Sequence, residues 1–153
     1  MLGHSYPGGI LTVTICKSIQ AIVLFSMQSL IIFYSAVEAK DLKDEDTFGK
    51  NDPYIELWLD DKYKQRTSEL KNTNNPVWNE TFTFNVPEGN SFHKLYLKVL
   101  DKDTVGSDKI GEAKVDFADV YQGKVFDEWV RLPAKLGLTS HGEVHVRIEF
   151  APN

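Results

Sequence analysis

The 153-residue chain is long enough for one domain with a substantial core and too short for two comfortable ones. Its net charge of −5 at pH 7 argues against non-specific nucleic-acid binding, which needs a basic surface, and against passive adhesion to anionic lipid. The single cysteine, Cys16, excludes an internal disulfide and suits a reducing compartment.

The N-terminal part of the chain combines a strand pattern with an apolar block. The stretch GGILTVTI (Gly8 to Ile15) alternates between apolar and polar residues, as an opening strand does. It is followed by a run without charge from Ser18 to Val37, which is long enough to span a bilayer although glutamines and serines dilute its hydrophobicity. The polar stretch EAKDLKDEDTFGKNDPY comes next, so the apolar block does not match its neighbours.

From Asp52 onward the sequence predicts short strands separated by turns. Apolar and polar residues alternate in the segments YIELWLDD, ETFTFNV, KLYLKVLD, KIGEAKVDF, FDEWVRL and GEVHVRIEF. Turn-forming residues lie between them in NTNNP, PEGN, VGSD and TSHG. This spacing predicts an all-β antiparallel sandwich or barrel.

Two turns carry a dense set of aspartates. The first, DTFGKND, contains Asp46 and Asp52, and the second, DKDTVGSD, contains Asp101, Asp103 and Asp108. Each turn follows a predicted strand, so antiparallel folding can bring both turns to one end of the sandwich. Clustered carboxylates repel one another unless a cation compensates them, and a set of oxygen donors without His or Cys favours calcium over zinc or copper. The residues therefore predict a calcium site.

These motifs, taken in order, resemble those of the C2 domain family. The resemblance rests on NDPY, on NPVWNE and on the D-x-D…D-x-I-G pattern of the second turn, and it covers nearly all of residues 8–150 apart from the apolar block. It implies an eight-stranded antiparallel β-sandwich with calcium loops at one end, which bind phospholipid when calcium is present. The type II strand order is expected, because the chain opens on the strand before the first acidic turn.

By the same resemblance, the five aspartates match the metal positions of the family. Asp46 and Asp52 match the ligands of loop 1. Asp101, Asp103 and Asp108 match those of loop 3, where the gap after Asp103 is one residue shorter than in some members. All five acidic positions are filled, which favours a calcium-dependent member that holds about two or three Ca²⁺ ions.

The acidic turns also carry apolar residues at their predicted tips. Phe48 in the first turn and Val105 in the second are expected to contact the membrane once calcium has reversed the charge of the tip. Burying each side chain in the bilayer interface would contribute about 1.5–3 kcal/mol. The alternative is that the side chain packs back on the sandwich.

A basic stretch, DDKYKQRTSELK, follows the strand that begins at Tyr54. Alternation would place Lys62, Lys64 and Arg66 on one face of a strand, and Lys71 lies further along. C2 relatives often use a basic strand here for phosphoinositides, so these four residues form a candidate phosphoinositide patch. Each such charge near a membrane is worth about 1 kcal/mol. A solvated strand face is the alternative.

No nucleophile elbow, P-loop or dinucleotide fingerprint is present, and we expect a protein that is not an enzyme. The leading hypothesis is a cytoplasmic, peripheral C2 protein that is recruited reversibly to anionic phospholipid membranes by calcium, in signalling or trafficking. The competing hypothesis is a calcium-independent C2 module that binds protein partners. A third is a membrane-anchored C2 protein, in which residues 18–37 span the bilayer.

The apolar block interrupts the family pattern. Removal of Cys16 to Ala36 joins GILTVTI to VEAKDL as one opening strand of the usual length, whereas an inserted span would divide a strand that the sandwich needs intact. The Cys-Lys codons can hold a splice donor, and those for Phe33 to Val37 can hold a pyrimidine-rich tract closing in AG. We therefore expect an apolar, helical insertion at 16–36 and interpret it as a translated retained intron, with a membrane anchor or a surface helix as alternatives.

Overall fold

The computed structural model describes residues 5–14, 38–44, 49–134, 137 and 139–152. In this part of the chain there are nine β-strands and one short 3-10 helix, Ala118–Gln122. The strands are β1 Gly9–Thr14, β2 Ala39–Lys40, β3 Pro53–Trp58, β4 Gln65–Arg66, β5 Thr81–Val86, β6 Lys94–Lys102, β7 Ser107–Asp116, β8 Phe126–Pro133 and β9 Ser140–Pro152.

Two antiparallel sheets form a sandwich. One sheet has the strand order β4–β3–β6–β7. In the other sheet the long strand β9 pairs with β8 along one side and with both β1 and β2 along the other, and β1 also pairs with β5. All of these pairings are antiparallel, as the sequence pattern predicts.

The predicted apolar faces form the core between the sheets. In β5 exposed and buried residues alternate along the whole strand. The buried residues of the predicted faces are Ile55, Leu57, Phe82, Phe84, Leu95, Leu97, Val99, Val144, Val146 and Ile148. Each fully buried aliphatic side chain stabilises the fold by about 1.5–3 kcal/mol, so the strand ends that carry the acidic turns have a firm base.

The opening strand is divided in two. Thr14, the last residue of β1, pairs with Arg147, and Ala39, the first residue of β2, pairs with Val144. These two residues are 25 positions apart on the N-terminal segment, whereas their partners on β9 are three apart. The backbone N–H of His145, between those partners, donates to the Glu38 carbonyl oxygen over 3.1 Å. The chain thus leaves β9 and returns to it at almost the same place, with 22 residues more than the pairing uses.

The predicted eight-stranded, type II order is confirmed when β1 and β2 are counted as two halves of one opening strand, which precedes the first acidic turn. The structure has nine strands in its described part because the extra residues break that strand. The insertion expected at 16–36, with its helical conformation, lies outside the described residues. Within the described ranges, no helix is both long and apolar enough to cross a bilayer.

Candidate calcium and membrane site

The two acidic turns meet at one end of the sandwich because the strands beside them are paired. β3 begins at Pro53, which pairs with Asp101 near the end of β6. The backbone N–H of Asp52 donates to Asp101 Oδ1 over 2.6 Å, and Lys102 N–H donates to the Asp52 carbonyl oxygen over 3.1 Å. The structure therefore brings Asp52 and Asp101, from turns far apart in sequence, into direct contact.

The carboxylate of Asp52 has two partners of its own. The Asn72 N–H donates to Oδ1 over 2.7 Å, and the Lys71 ammonium donates to Oδ2 over 3.0 Å. These two hydrogen bonds, the Asn72 bond first, hold the pKa of the Asp52 carboxyl group below its usual value although partial burial opposes the shift. The same contact raises the pKa of the Lys71 ammonium. Asp52 is therefore a stabilised, ionised carboxylate.

The second acidic turn carries one buried and two more accessible aspartates. Asp101 is 1% exposed, and it pairs across the β6–β7 hairpin with Asp108, which is exposed. Asp103 is half-buried, and its N–H donates to the Gly106 carbonyl oxygen over 3.3 Å. Gly106 has φ +87°, a conformation that glycine adopts without strain and that closes the hairpin.

The five predicted ligands do not all belong to the described part of the chain, because Asp46 lies outside it. Among the residues that the structure does describe, no three acidic, histidine or cysteine side chains come close enough together to hold a metal ion. The carboxylates that do meet, Asp52 and Asp101, offer hard oxygen donors, which suit calcium in chemical kind.

A polar network that the sequence does not predict supports the first turn. Asn51 is fully buried, and its side-chain Nδ2 donates to Asn74 Oδ1 over 2.8 Å and to the Lys43 carbonyl oxygen over 2.7 Å. The Thr73 N–H donates to the Asn51 carbonyl oxygen over 2.8 Å. Leaving a buried amide without partners costs about 1–3 kcal/mol, so the network fixes the backbone that carries Asp52. The stretch NTNNP, which supplies Asn74, predicts only a turn.

Comparison with known proteins gives the family. The C2 domain profile matches residues 31–132. The chain belongs to the C2 domain family. Synaptotagmin-4 of Arabidopsis thaliana is 36% identical to it over 124 residues, which are 76% of this chain and 21% of the relative. This C2 chain thus spans about a fifth of the length of that relative, whose name does not denote an enzyme.

Solved structures share the C2 sandwich. The calcium-bound pair of C2 domains from extended synaptotagmin 2 matches with a TM-score of 0.70 at 22% identity, over 97% of this chain and 48% of that one. Human GIVD cytosolic phospholipase A2, an enzyme, matches with a TM-score of 0.69 at 23% identity, over 99% of this chain and 17% of that one. At these identities the likeness shows the fold alone.

The tip of the second turn projects from this C2 domain. Val105 is 89% exposed and does not pack back on the sandwich. Phe48, the other predicted membrane contact, lies outside the described residues. Of the two predicted apolar tips, the structure therefore describes Val105, which lies in the hairpin of Asp103 and Asp108.

Two of the predicted basic residues lie over aromatic rings on the outer side of the β4–β3–β6–β7 sheet. The Lys64 ammonium is 4.3 Å from the centre of the Trp58 ring, and the Arg66 guanidinium is 5.6 Å from that of Tyr54. Trp58 in turn stacks on Tyr96, with 5.8 Å between the ring centres. We call these five residues the aromatic–basic face. Cation–π contacts of this kind fix the position of the charges.

The other two lysines of the predicted patch lie elsewhere. Lys62 belongs to the turn after β3, where its N–H donates to Asp60 Oδ1 over 3.0 Å. Lys71 contacts Asp52, next to the start of β3, whereas Trp58 ends that strand. The strand pairing begins only at Gln65, because the turn at Asp60 occupies the preceding residues, so alternation does not place Lys62 beside the two others.

Proposed function

We propose that this C2 domain binds anionic phospholipid membranes in a calcium-dependent manner, as a cytoplasmic, reversibly membrane-associated protein without catalytic activity. The observation that supports the proposal best is the contact between the two acidic turns, in which Asp52 N–H donates to Asp101 Oδ1. We assign about two or three Ca²⁺ ions to the acidic end. The proposed ligands are Asp46, Asp52, Asp101, Asp103 and Asp108.

The charge of the acidic end explains why calcium would act as a switch. Without a cation, the carboxylates of both turns repel an anionic leaflet. Bound calcium would supply positive charge and open coordination positions for lipid phosphate oxygens, so the affinities for calcium and lipid would rise together. Asp101 is oriented in advance by the backbone N–H that it accepts, which reduces the ordering cost of binding.

Co-sedimentation with liposomes tests this function. We expect the protein to pellet with phosphatidylserine vesicles in calcium and to stay in the supernatant with a chelator. The competing function, a calcium-independent C2 module for protein partners, predicts that the chelator has no effect.

Replacement of Val105 should separate lipid binding from calcium binding. We expect Val105→Ser to weaken vesicle binding in calcium about fivefold to tenfold, because an exposed apolar tip can bury only part of the roughly 1.5–3 kcal/mol that a full side chain supplies. Calcium affinity in the absence of lipid should not change. The measurement is a vesicle titration beside calorimetry. Val125→Ser, at a 48% exposed valine after the 3-10 helix, is the control; equal losses in the two variants would contradict membrane contact at Val105.

We also propose that the aromatic–basic face binds phosphoinositide headgroups, since its charges lie side by side over aromatic rings. Of the four residues Lys62, Lys64, Arg66 and Lys71, the proposal relies on the second and third. We expect Lys64→Gln/Arg66→Gln to lose about tenfold in affinity for phosphoinositide vesicles, at roughly 1 kcal/mol per charge near a membrane. Binding to phosphatidylserine vesicles should fall less. Lys124→Gln/Arg131→Gln removes the same charge away from this face, and an equal loss there would favour a solvated strand face.

We propose that the chain is one C2 domain over residues 8–150 and that 16–36 is inserted into it. The pairing of β1 and β2 with neighbouring positions of β9 supports an insertion at a single point of the opening strand. We interpret the insertion as a translated retained intron, and sequencing of transcripts across this junction tests it. If every transcript carries the block and the protein resists alkaline extraction from membranes, the intron interpretation is wrong and the protein is membrane-anchored.

A further inference from the structure

We propose that Lys71 is a tethered counter-ion of the calcium site, which calcium must displace from Asp52, an inference that rests on the proposed function. The Lys71 ammonium lies 3.0 Å from Asp52 Oδ2 and 3.6 Å from Glu69 Oε2. The other oxygen of Asp52 accepts the Asn72 N–H over 2.7 Å. Both oxygens of this proposed ligand are therefore engaged before a cation arrives.

The two partners of Asp52 differ in how easily they can leave. The Asn72 N–H belongs to the backbone, and the side-chain oxygen of Asn72 accepts the Lys50 N–H over 3.1 Å, which ties this loop to the first turn. The Lys71 side chain is 68% exposed and flexible, and ion pairs at such exposed positions are weak. Lys71 is therefore the partner that calcium can replace.

A calcium ion and the ammonium cannot both occupy the place beside Oδ2. Calcium lies about 2.3–2.6 Å from its carboxylate oxygens, so an ion on Oδ2 would be close to the ammonium and would be repelled by it. Until calcium binds, Lys71 partly neutralises Asp52 and reduces its repulsion with Asp101. The lysine thus stabilises the empty site and raises the calcium concentration at which the domain responds.

Glu69 gives the displaced ammonium a second position. Its carboxylate already lies 3.6 Å from Lys71 Nζ, so the lysine can leave Asp52 without losing all of its electrostatic compensation. The exchange between two carboxylates makes the displacement reversible and keeps the released charge at the end of the domain that would face lipid. Residues 69–71 therefore act as a regulator of the site rather than as ligands.

Calorimetric titration of calcium into the full chain, without lipid, tests the inference with two charge-matched variants. Lys71→Gln removes the partner of Asp52, and Lys50→Gln removes the same charge from the neighbouring turn. We expect Lys71→Gln to bind calcium about two- to fivefold more tightly than Lys50→Gln, which is the range that exposed ion pairs support. The difference should shrink in high salt, because salt screens exposed charges.

The outcomes separate this inference from the proposed function. Equal affinities in the two variants, or weaker binding by Lys71→Gln, would overturn the role of Lys71 and leave the calcium function in place. Absence of calcium binding by the unaltered protein would overturn both. Melting temperatures of the variants without calcium check that each is folded. In NMR spectra of the unaltered protein, calcium should shift the Lys71 ammonium signal and leave that of Lys50 nearly unchanged; an unmoved Lys71 signal at saturation would also overturn displacement.

Discussion

Asp101→Asn/Asp103→Asn protein is expected to need about 100-fold more calcium than the unaltered protein for half-maximal liposome binding, because calcium affinity spans orders of magnitude with the number of charged ligands. The substitution should leave the fold intact. Asparagine keeps an oxygen that can accept the Asp52 N–H, so the buried position of Asp101 does not lose that hydrogen bond. Co-sedimentation with phosphatidylserine vesicles across a calcium series measures the effect, and thermal melting checks the fold.

A control with the same change in charge removes the ambiguity of net charge. Asp60→Asn/Asp61→Asn also deletes two negative charges, but these residues lie in the turn after β3, at the end of that strand away from Asp52. We expect less than a twofold change in this control, because exposed charges separated by more than a Debye length, about 10 Å at 0.1 M salt, interact weakly. Equal shifts in both double variants would mean that bulk charge, not a site, governs membrane binding.

Deletion of residues 16–37 is expected to give a folded C2 domain that is more stable than the full chain by about 2–3 kcal/mol, which is the loop-closure entropy of roughly twenty residues. These are the 22 residues that the pairing with β9 does not use. The junction then runs Thr14-Ile15-Glu38-Ala39, which keeps Leu11, Val13 and Ala39 in one alternating, inward-facing series. Denaturant unfolding and liposome binding in calcium provide the measurements.

Two neighbouring deletions serve as controls, because a strand register allows no shift of a single residue. Deletion of 16–36 leaves one residue too many, which the strand can absorb only as a bulge, and deletion of 16–38 removes one too many and turns the following residues to the wrong face. Both should be less stable than the deletion of 16–37. If all three deletions unfold the protein or abolish its calcium-dependent binding, the apolar block is part of the functional domain, and the insertion proposal is wrong.

The C2 fold could be predicted from sequence because its strands have one polar and one buried face. Val144, Val146 and Ile148 alternate along β9, and all three are fully buried. The division of the opening strand was also foreseeable in outline, since GILTVTI and VEAKDL each carry half of the pattern. The length of the excess, 22 residues rather than 21, could not be read from the sequence, because it depends on the pairing partners in β9.

The side-chain partners at the acidic end were harder to predict than the aspartates themselves. Asp52 and Asp101 stand out in sequence as paired acidic turns, and backbone pairing brings them together. Lys71 reads as a member of a basic strand, yet it contacts Asp52, because the loop of residues 71–75 folds back on the first turn through Asn51 and Asn74. Such loop-to-loop contacts have no sequence periodicity, so alternation arguments miss them.

A crystal structure of the protein grown with millimolar calcium is the most direct test of a cation site shared by the two acidic turns. The expected result is at least one ion coordinated at about 2.3–2.6 Å by carboxylate oxygens of both Asp52 and Asp101, with the Lys71 ammonium moved away from Asp52. An acidic end without any ion, in which Lys71 still pairs with Asp52 at saturating calcium, would contradict the account.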